Sequence, residues 1–103
     1  MITSLALVEE ECIEKKRILV VDDYAATRNL ISEALGQTGD YEISVAENGL
    51  VALKLFRNSQ YDMVISDVMM PGMGGMELLK ELRGINASIP VIMITSHPAT
   101  ELA

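Results

Sequence analysis

The chain has 103 residues, half of them hydrophobic, and a formal net charge of -7, which is enough for one hydrophobic core but not for two. A single Cys cannot form an internal disulfide, and the acidic balance argues against binding a phosphate backbone, so we expect a cytoplasmic protein without direct nucleic-acid contacts. The opening residues have no basic segment, run at once into Glu9, Glu10 and Glu11, and are too short to cross a bilayer, so we expect no signal peptide and no membrane contact.

The first predicted segment is an N-terminal extension over residues 1–15. Leu5, Val8 and Cys12 are spaced three and four apart, as one face of a helix requires. A disordered lead-in is the alternative interpretation, and the spacing does not decide between the two.

Short apolar runs then alternate with longer amphipathic stretches, which is the pattern of strand–helix–strand units around a parallel sheet. Most of the runs are almost continuously apolar, as expected for strands that are covered on both faces. The predicted strands cover 18–21, 43–46, 63–66 and 91–95. The predicted helices cover 26–37, a stretch capped by Asn48 and ended at Asn58, and about 73–83, where Gly84 ends the helix.

Acidic residues follow two of these strands. Asp22 and Asp23 come directly after the first strand, and Asp67 comes directly after the third. Because the carboxyl ends of parallel strands share one edge of the sheet, the carboxylates are expected to meet there. Their mutual repulsion must then be neutralised by protons or by a divalent cation, and Mg²⁺ is the natural occupant. Asp67 can then attack a phosphoryl group and form an aspartyl phosphate. Thr95, at the end of the fourth strand, is placed to donate a hydrogen bond to it.

Three segments, in this order and at this spacing, carry a resemblance to a known family. Residues 16–23 read Lys-Arg-Ile-Leu-Val-Val-Asp-Asp, residues 66–75 begin Ser-Asp-Val-Met-Met-Pro-Gly, and residues 94–96 read Ile-Thr-Ser. Together they resemble the receiver domains of bacterial two-component response regulators, over residues 16–103. The resemblance implies an α/β fold with a doubly wound, flavodoxin-like parallel sheet of strand order 2-1-3-4.

The resemblance also assigns roles to the acidic cluster. It implies that Asp67 is the phosphoacceptor, Asp23 a direct Mg²⁺ ligand and Asp22 a ligand that acts mainly through water. The main-chain carbonyl of Met69 would be a further protein ligand, with Asp67 itself also bound to the ion. Thr95 matches the switch hydroxyl that turns toward the phosphate.

Further matches concern the surroundings of the site and its partner. Ser96 matches the small residue that leaves the pocket open, and Pro71 and Gly75 match the loop that shapes its mouth. The family receives its phosphoryl group from a phosphohistidine, so the resemblance implies a sensor histidine kinase or a phosphotransfer protein as partner.

The sequence departs from the family pattern after Thr95. Receivers resemble a five-stranded design with a lysine at the end of strand five, and this sequence has no counterpart of helix four, strand five, helix five or that lysine. We therefore expect residues 16–103 to form a truncated receiver domain with weak phosphorylation. We also expect a homo-oligomer, formed through the exposed edge of strand four or through the N-terminal segment.

Two functions remain open at this stage. One is a phosphoacceptor switch, which would not be a conventional enzyme although it could promote its own phosphorylation and dephosphorylation. The other is a pseudo-receiver that serves as a protein-interaction or dimerisation module with little phosphotransfer. A hydrolase of the haloacid-dehalogenase type is disfavoured, because its nucleophile strand needs Asp-x-Asp and residues 66–69 do not supply it.

Overall fold

The computed structural model describes residues 15–95. Within that range strands and helices alternate strictly along the chain. They are β1 (Lys16–Val21), α1 (Ala25–Gly36), β2 (Tyr41–Ala46), α2 (Gly49–Asn58), β3 (Met63–Asp67), α3 (Gly75–Ile85) and β4 (Val91–Ile94). The predicted N-terminal helix and the predicted role of Ser96 lie outside the described residues.

The described strands form one parallel sheet in the order β2-β1-β3-β4, which confirms the predicted doubly wound topology. Val21, the last residue of β1, pairs with Ala46 of β2 and with Ser66 of β3. Asp67 of β3 pairs with Ile94 of β4. The carboxyl ends of β1, β3 and β4 therefore lie level with one another, and whatever follows these strands shares one edge of the sheet.

Helices cover both faces of the sheet, which explains why the strands are so continuously apolar. Along β1 the side chains alternate between the faces: Leu19 and Val21 belong to the core under α2 and α3, whereas Ile18 and Val20 belong to the core under α1. The core under α2 and α3 is the larger one. Its buried members are Leu19, Val21, Ala46, Ala52, Leu53, Phe56, Tyr61, Val64, Met70, Leu78, Leu82 and Ile89.

The helix ends agree with the sequence at some positions and not at others. Asn48 caps α2 as predicted, because its side-chain oxygen accepts a hydrogen bond of 2.8 Å from the main-chain N–H of Val51. The prediction that Gly84 ends the third helix is wrong, since α3 continues to Ile85. A glycine inside a helix costs only about 1 kcal/mol, and burial of α3 against the sheet outweighs it. The start of α3 is also displaced, to Gly75 rather than near position 73.

Candidate functional site

The predicted acidic residues meet at the carboxyl edge of the sheet. Asp22, Asp23 and Asp67 each offer one carboxylate oxygen, and these oxygens all lie within 4.8 Å of one another. Asp22 and Asp67 are fully buried, whereas Asp23 is exposed. The proximity follows from the topology, because β1 and β3 are neighbours and end at the same level. Such a set of hard oxygen donors matches the ligand preference of Mg²⁺.

One carboxylate oxygen of Asp22 makes no hydrogen bond to the described residues and is available for a ligand. Its main-chain N–H donates to the carbonyl of Ala46 at 3.1 Å. Its Oδ1 accepts from the N–H of Tyr24, and its carbonyl accepts from Nη1 of Arg28, both at 2.8 Å. Its Oδ2 is buried and has no hydrogen-bond donor among the described residues. Since a buried carboxylate oxygen without a partner is costly, the residues present fit a divalent cation held at this atom through a bound water.

The electrostatics of Asp22 support the same conclusion. Burial raises the pKa of Asp22, and repulsion by Asp67 and Asp23 raises it further, while the Tyr24 N–H bond and the charge of Arg28 oppose these effects. The protein alone therefore leaves the negative charge of the cluster undercompensated. A bound cation would relieve both the burial cost and the repulsion.

The loop after β3 holds Asp67 in place. Oδ1 of Asp67 accepts a hydrogen bond of 3.3 Å from the main-chain N–H of Met69, so the main chain of Met69 lies beside the cluster while its side chain is exposed. The carbonyl of Asp67 accepts from the hydroxyl of Ser66 at 3.0 Å. The loop turns at Gly72, whose φ of +76° favours glycine.

Gly75 brings the start of α3 against this loop. Its N–H donates to the carbonyl of Val68 at 2.9 Å. A Cβ at position 75 would lie 2.2 Å from the carbonyl oxygen of Asp67, which is a clash with main-chain atoms. The resemblance indicated Gly75 only as part of the loop at the mouth of the pocket. The close approach of Gly75 to the Asp67 carbonyl gives a steric reason for glycine at position 75.

Thr95 follows β4 directly and lies at the same edge of the sheet. Its neighbour Ile94 pairs with Asp67, and the carbonyl of Ile94 accepts a 2.8 Å hydrogen bond from the N–H of Val68. Thr95 is exposed. The topology thus brings the predicted hydroxyl donor to the end of the sheet that carries the carboxylates.

One residue at this site was missed by sequence reasoning. Arg28 lies in the first turn of α1, and its guanidinium reaches back over six residues to the main chain of Asp22. The sequence offered one signal for this contact: a basic residue in the first turn of the helix that follows the acidic residues after β1.

Comparison with known proteins agrees with the geometry. The model of the response regulator receiver domain family matches residues 18–103. The chain belongs to this family. The match includes all of the acidic cluster, so the site described above lies within the receiver domain itself. Among the described residues of this domain, no helix combines the length and apolar character that crossing a membrane requires.

Relatives of this receiver domain include longer proteins and solved structures. A response regulator receiver protein of Anaeromyxobacter sp. (strain Fw109-5) is 41% identical over 86 residues, or 84% of this chain and 36% of that protein. The chain spans about a third of the length of the first curated relatives it matches. The response regulator TrrA of Thermotoga maritima, solved in complex with Mg²⁺-BeF, is 44% identical with a TM-score of 0.76, covering 84% of this chain and 75% of that one.

A second similar structure contains a kinase. It is the complex of the histidine kinase ThkA with TrrA, and it matches with 46% identity and a TM-score of 0.74 over 81% of this chain and 71% of that one.

Proposed function

We propose that this receiver domain is a phosphoacceptor of two-component signalling, and that Asp67 takes a phosphoryl group from the phosphohistidine of a sensor histidine kinase or a phosphotransfer protein. The observation that carries the proposal is the meeting of the Asp67 carboxylate with those of Asp22 and Asp23 within 4.8 Å. The similarity to TrrA, which is solved both with Mg²⁺-BeF and with a histidine kinase, supports the cofactor and the partner.

The residues divide the chemistry between them. A carboxylate oxygen of Asp67 forms a bond to phosphorus while the phosphorus–nitrogen bond of the donor breaks, and the electron pair of that bond leaves with the imidazole. Asp22, Asp23, Asp67 and the carbonyl of Met69 would hold Mg²⁺. When bound, Mg²⁺ supplies positive charge that offsets the charge on the phosphoryl oxygens. The hydroxyl of Thr95 donates a hydrogen bond to one of these oxygens.

Acetyl phosphate tests this proposal without a kinase. The full chain is incubated with Mg²⁺ and acetyl phosphate, and its intact mass is measured. We expect the mass to increase by one phosphoryl group in the wild type and in Asp62→Asn, an exposed acidic control, but not in Asp67→Asn. A folded wild-type sample that gains no mass, or an Asp67→Asn variant that still gains it, would contradict the proposal.

We infer a second candidate function from the edge of the sheet, namely a pseudo-receiver that works as an interaction or dimerisation module. Within the described residues β4 is the outermost strand on its side, it carries no charged side chain, and Ile92 is 46% exposed. Uncharged apolar edges favour pairing with another chain. A homo-oligomer would then form through β4 or through residues 1–14.

Oligomer size distinguishes these two contacts. Light scattering of the wild type, of Ile92→Lys and of a variant without residues 1–14 should show which change yields a monomer. If the wild-type protein is a monomer at every protein concentration measured, the predicted homo-oligomer is wrong. An oligomer that gains no phosphoryl mass would favour the pseudo-receiver over the phosphoacceptor. For either function we propose that residues 16–103 form the receiver domain and that it works in the cytoplasm, because the acidic composition and single Cys suit a reducing compartment.

A further inference from the structure

The start of α1 is joined to the turn after β1 through the side chains of Asp22 and Arg28. The N-cap residue Tyr24 makes no side-chain capping bond, and the first turn of α1 contains no acidic residue. Instead, Oδ1 of Asp22 accepts from the Tyr24 N–H, and the guanidinium of Arg28 returns from the helix to the Asp22 carbonyl. The main-chain N–H of Arg28 meanwhile donates to the carbonyl of Tyr24 at 3.0 Å. Arg28 therefore joins the first helical turn to the residue that carries the buried carboxylate.

Three hydrogen bonds determine how Asp22 is oriented. Two of them involve main-chain atoms of Ala46 and Tyr24, and the third comes from the side chain of Arg28. The Arg28 contact is thus the one that a substitution on another residue can remove. With these bonds in place, Oδ2 is the oxygen of Asp22 left for a ligand.

We propose that Arg28 is a positioning residue for the carboxylate cluster. By donating to the Asp22 carbonyl, it holds the turn between β1 and α1 so that Oδ2 of Asp22 and the carboxylate of Asp23 keep the separation that a divalent cation needs. This inference rests on the proposed Mg²⁺ site and deepens it, because it assigns the geometry of that site to a side chain that does not touch the ion.

Arg28 also carries a positive charge, and charge and positioning predict opposite results. If charge alone mattered, removing the guanidinium would relieve repulsion of the incoming cation and tighten Mg²⁺ binding. If positioning matters, removal loosens the turn and weakens binding. The direction in which Mg²⁺ affinity changes when the guanidinium is removed therefore decides between the two.

The experiment is a calorimetric titration of the full chain with Mg²⁺ alone, for the wild type, Arg28→Met, Arg28→Lys and the control Arg57→Met. Met keeps the unbranched stem and a similar helix propensity but has no donor and no charge, whereas Lys keeps both a donor and the charge. Arg57 lies in the last turn of α2, at the opposite edge of the sheet. Thermal melts followed by circular dichroism establish that each variant folds.

We expect Arg28→Met to bind Mg²⁺ about tenfold more weakly than the wild type, in line with other outer partners of metal ligands. Arg28→Lys should bind more tightly than Arg28→Met, and Arg57→Met should remain close to the wild type. An Arg28→Met variant that binds as tightly as the wild type, or more tightly than Arg28→Lys, overturns the inference. If the wild type itself binds no Mg²⁺, the proposed site and this inference fall together, whereas wild-type binding with unchanged Arg28→Met removes the inference alone.

A second readout does not depend on the metal. In metal-free protein the amide hydrogen of Tyr24 should exchange with solvent faster in Arg28→Met than in the wild type, because the turn that shields it loses an anchor. Arg57→Met should leave this rate unchanged. Equal exchange at Tyr24 in the wild type and Arg28→Met would overturn the positioning role even if the variant altered Mg²⁺ affinity.

Discussion

The two ends of the parallel sheet differ in how their charged groups are paired. At the amino end, the carboxylate of Asp62 accepts from the main-chain N–H of Arg17 at 2.8 Å, while the Arg17 guanidinium lies 5.2 Å from the ring centre of Tyr61 and 3.8 Å from the carboxylate of Glu42. At the carboxyl end, three carboxylates crowd together. Charged groups with partners add modestly to the stability of the fold, whereas carboxylates crowded together reduce it.

The largest expected effect is a loss of stability caused by a steric clash at the carboxyl end of the sheet. Gly75→Ala would place a Cβ 2.2 Å from the Asp67 carbonyl oxygen, so the main chain at Asp67 and the loop after it must shift. We expect the free energy of unfolding to fall by about 3 kcal/mol, as measured by urea denaturation. Gly84→Ala is the matched control in the same helix, where nothing lies within 4 Å of the added Cβ, and it should raise the free energy of unfolding by about 0.5–1 kcal/mol. Equal effects of the two substitutions would contradict the close approach.

A smaller effect of opposite sign, an increase in stability, is expected for a substitution at Asp22. Asp22→Asn removes a buried charge and its repulsion by Asp67 and Asp23, while its amide oxygen can still accept from Tyr24. In EDTA at pH 7 the variant should be more stable than the wild type by about 1 kcal/mol, although Mg²⁺ should no longer stabilise it. If the metal-free variant were less stable than the wild type, the charge of Asp22 would not be destabilising the fold.

The pH dependence of this difference has a definite sign. Because the pKa of Asp22 is raised in the folded protein, the folded chain binds this proton more tightly than the unfolded chain does. The contribution of Asp22 to the free energy of unfolding therefore grows as the pH falls through the raised pKa. The advantage of Asp22→Asn should accordingly shrink between pH 7 and mildly acidic pH in metal-free denaturation curves.

The smallest effect belongs to the amino end. Asp62→Ala removes the hydrogen bond to the Arg17 main chain at an exposed position, so the free energy of unfolding should decrease by about 0.5 kcal/mol. Asp40→Ala, which changes the net charge equally at another exposed acidic position, is the control. Mg²⁺ affinity should stay at the wild-type value in both. A marked loss of Mg²⁺ affinity in Asp62→Ala would mean that the two ends of the sheet are not independent.

The sequence by itself determined the features that depend on local pattern. Short apolar runs, most of them nearly continuous, predicted every described strand. The acidic residues directly after two of them, Asp22–Asp23 and Asp67, predicted the cluster that the structure brings together. The cap at Asn48 was also predictable, because the bond it makes to Val51 spans only three residues. These predictions succeeded because strand period, capping and the shared edge of a parallel sheet follow from neighbouring residues and one topological rule.

Tertiary structure alone decided the rest. That Gly75 must be glycine depends on how closely α3 approaches the carbonyl of Asp67, and that α3 runs past Gly84 depends on its packing against the sheet. The bond from Arg28 to the main-chain carbonyl of Asp22 requires the path of the turn between them. Such contacts are set by atomic distances between segments, and residue types and their spacing do not contain those distances.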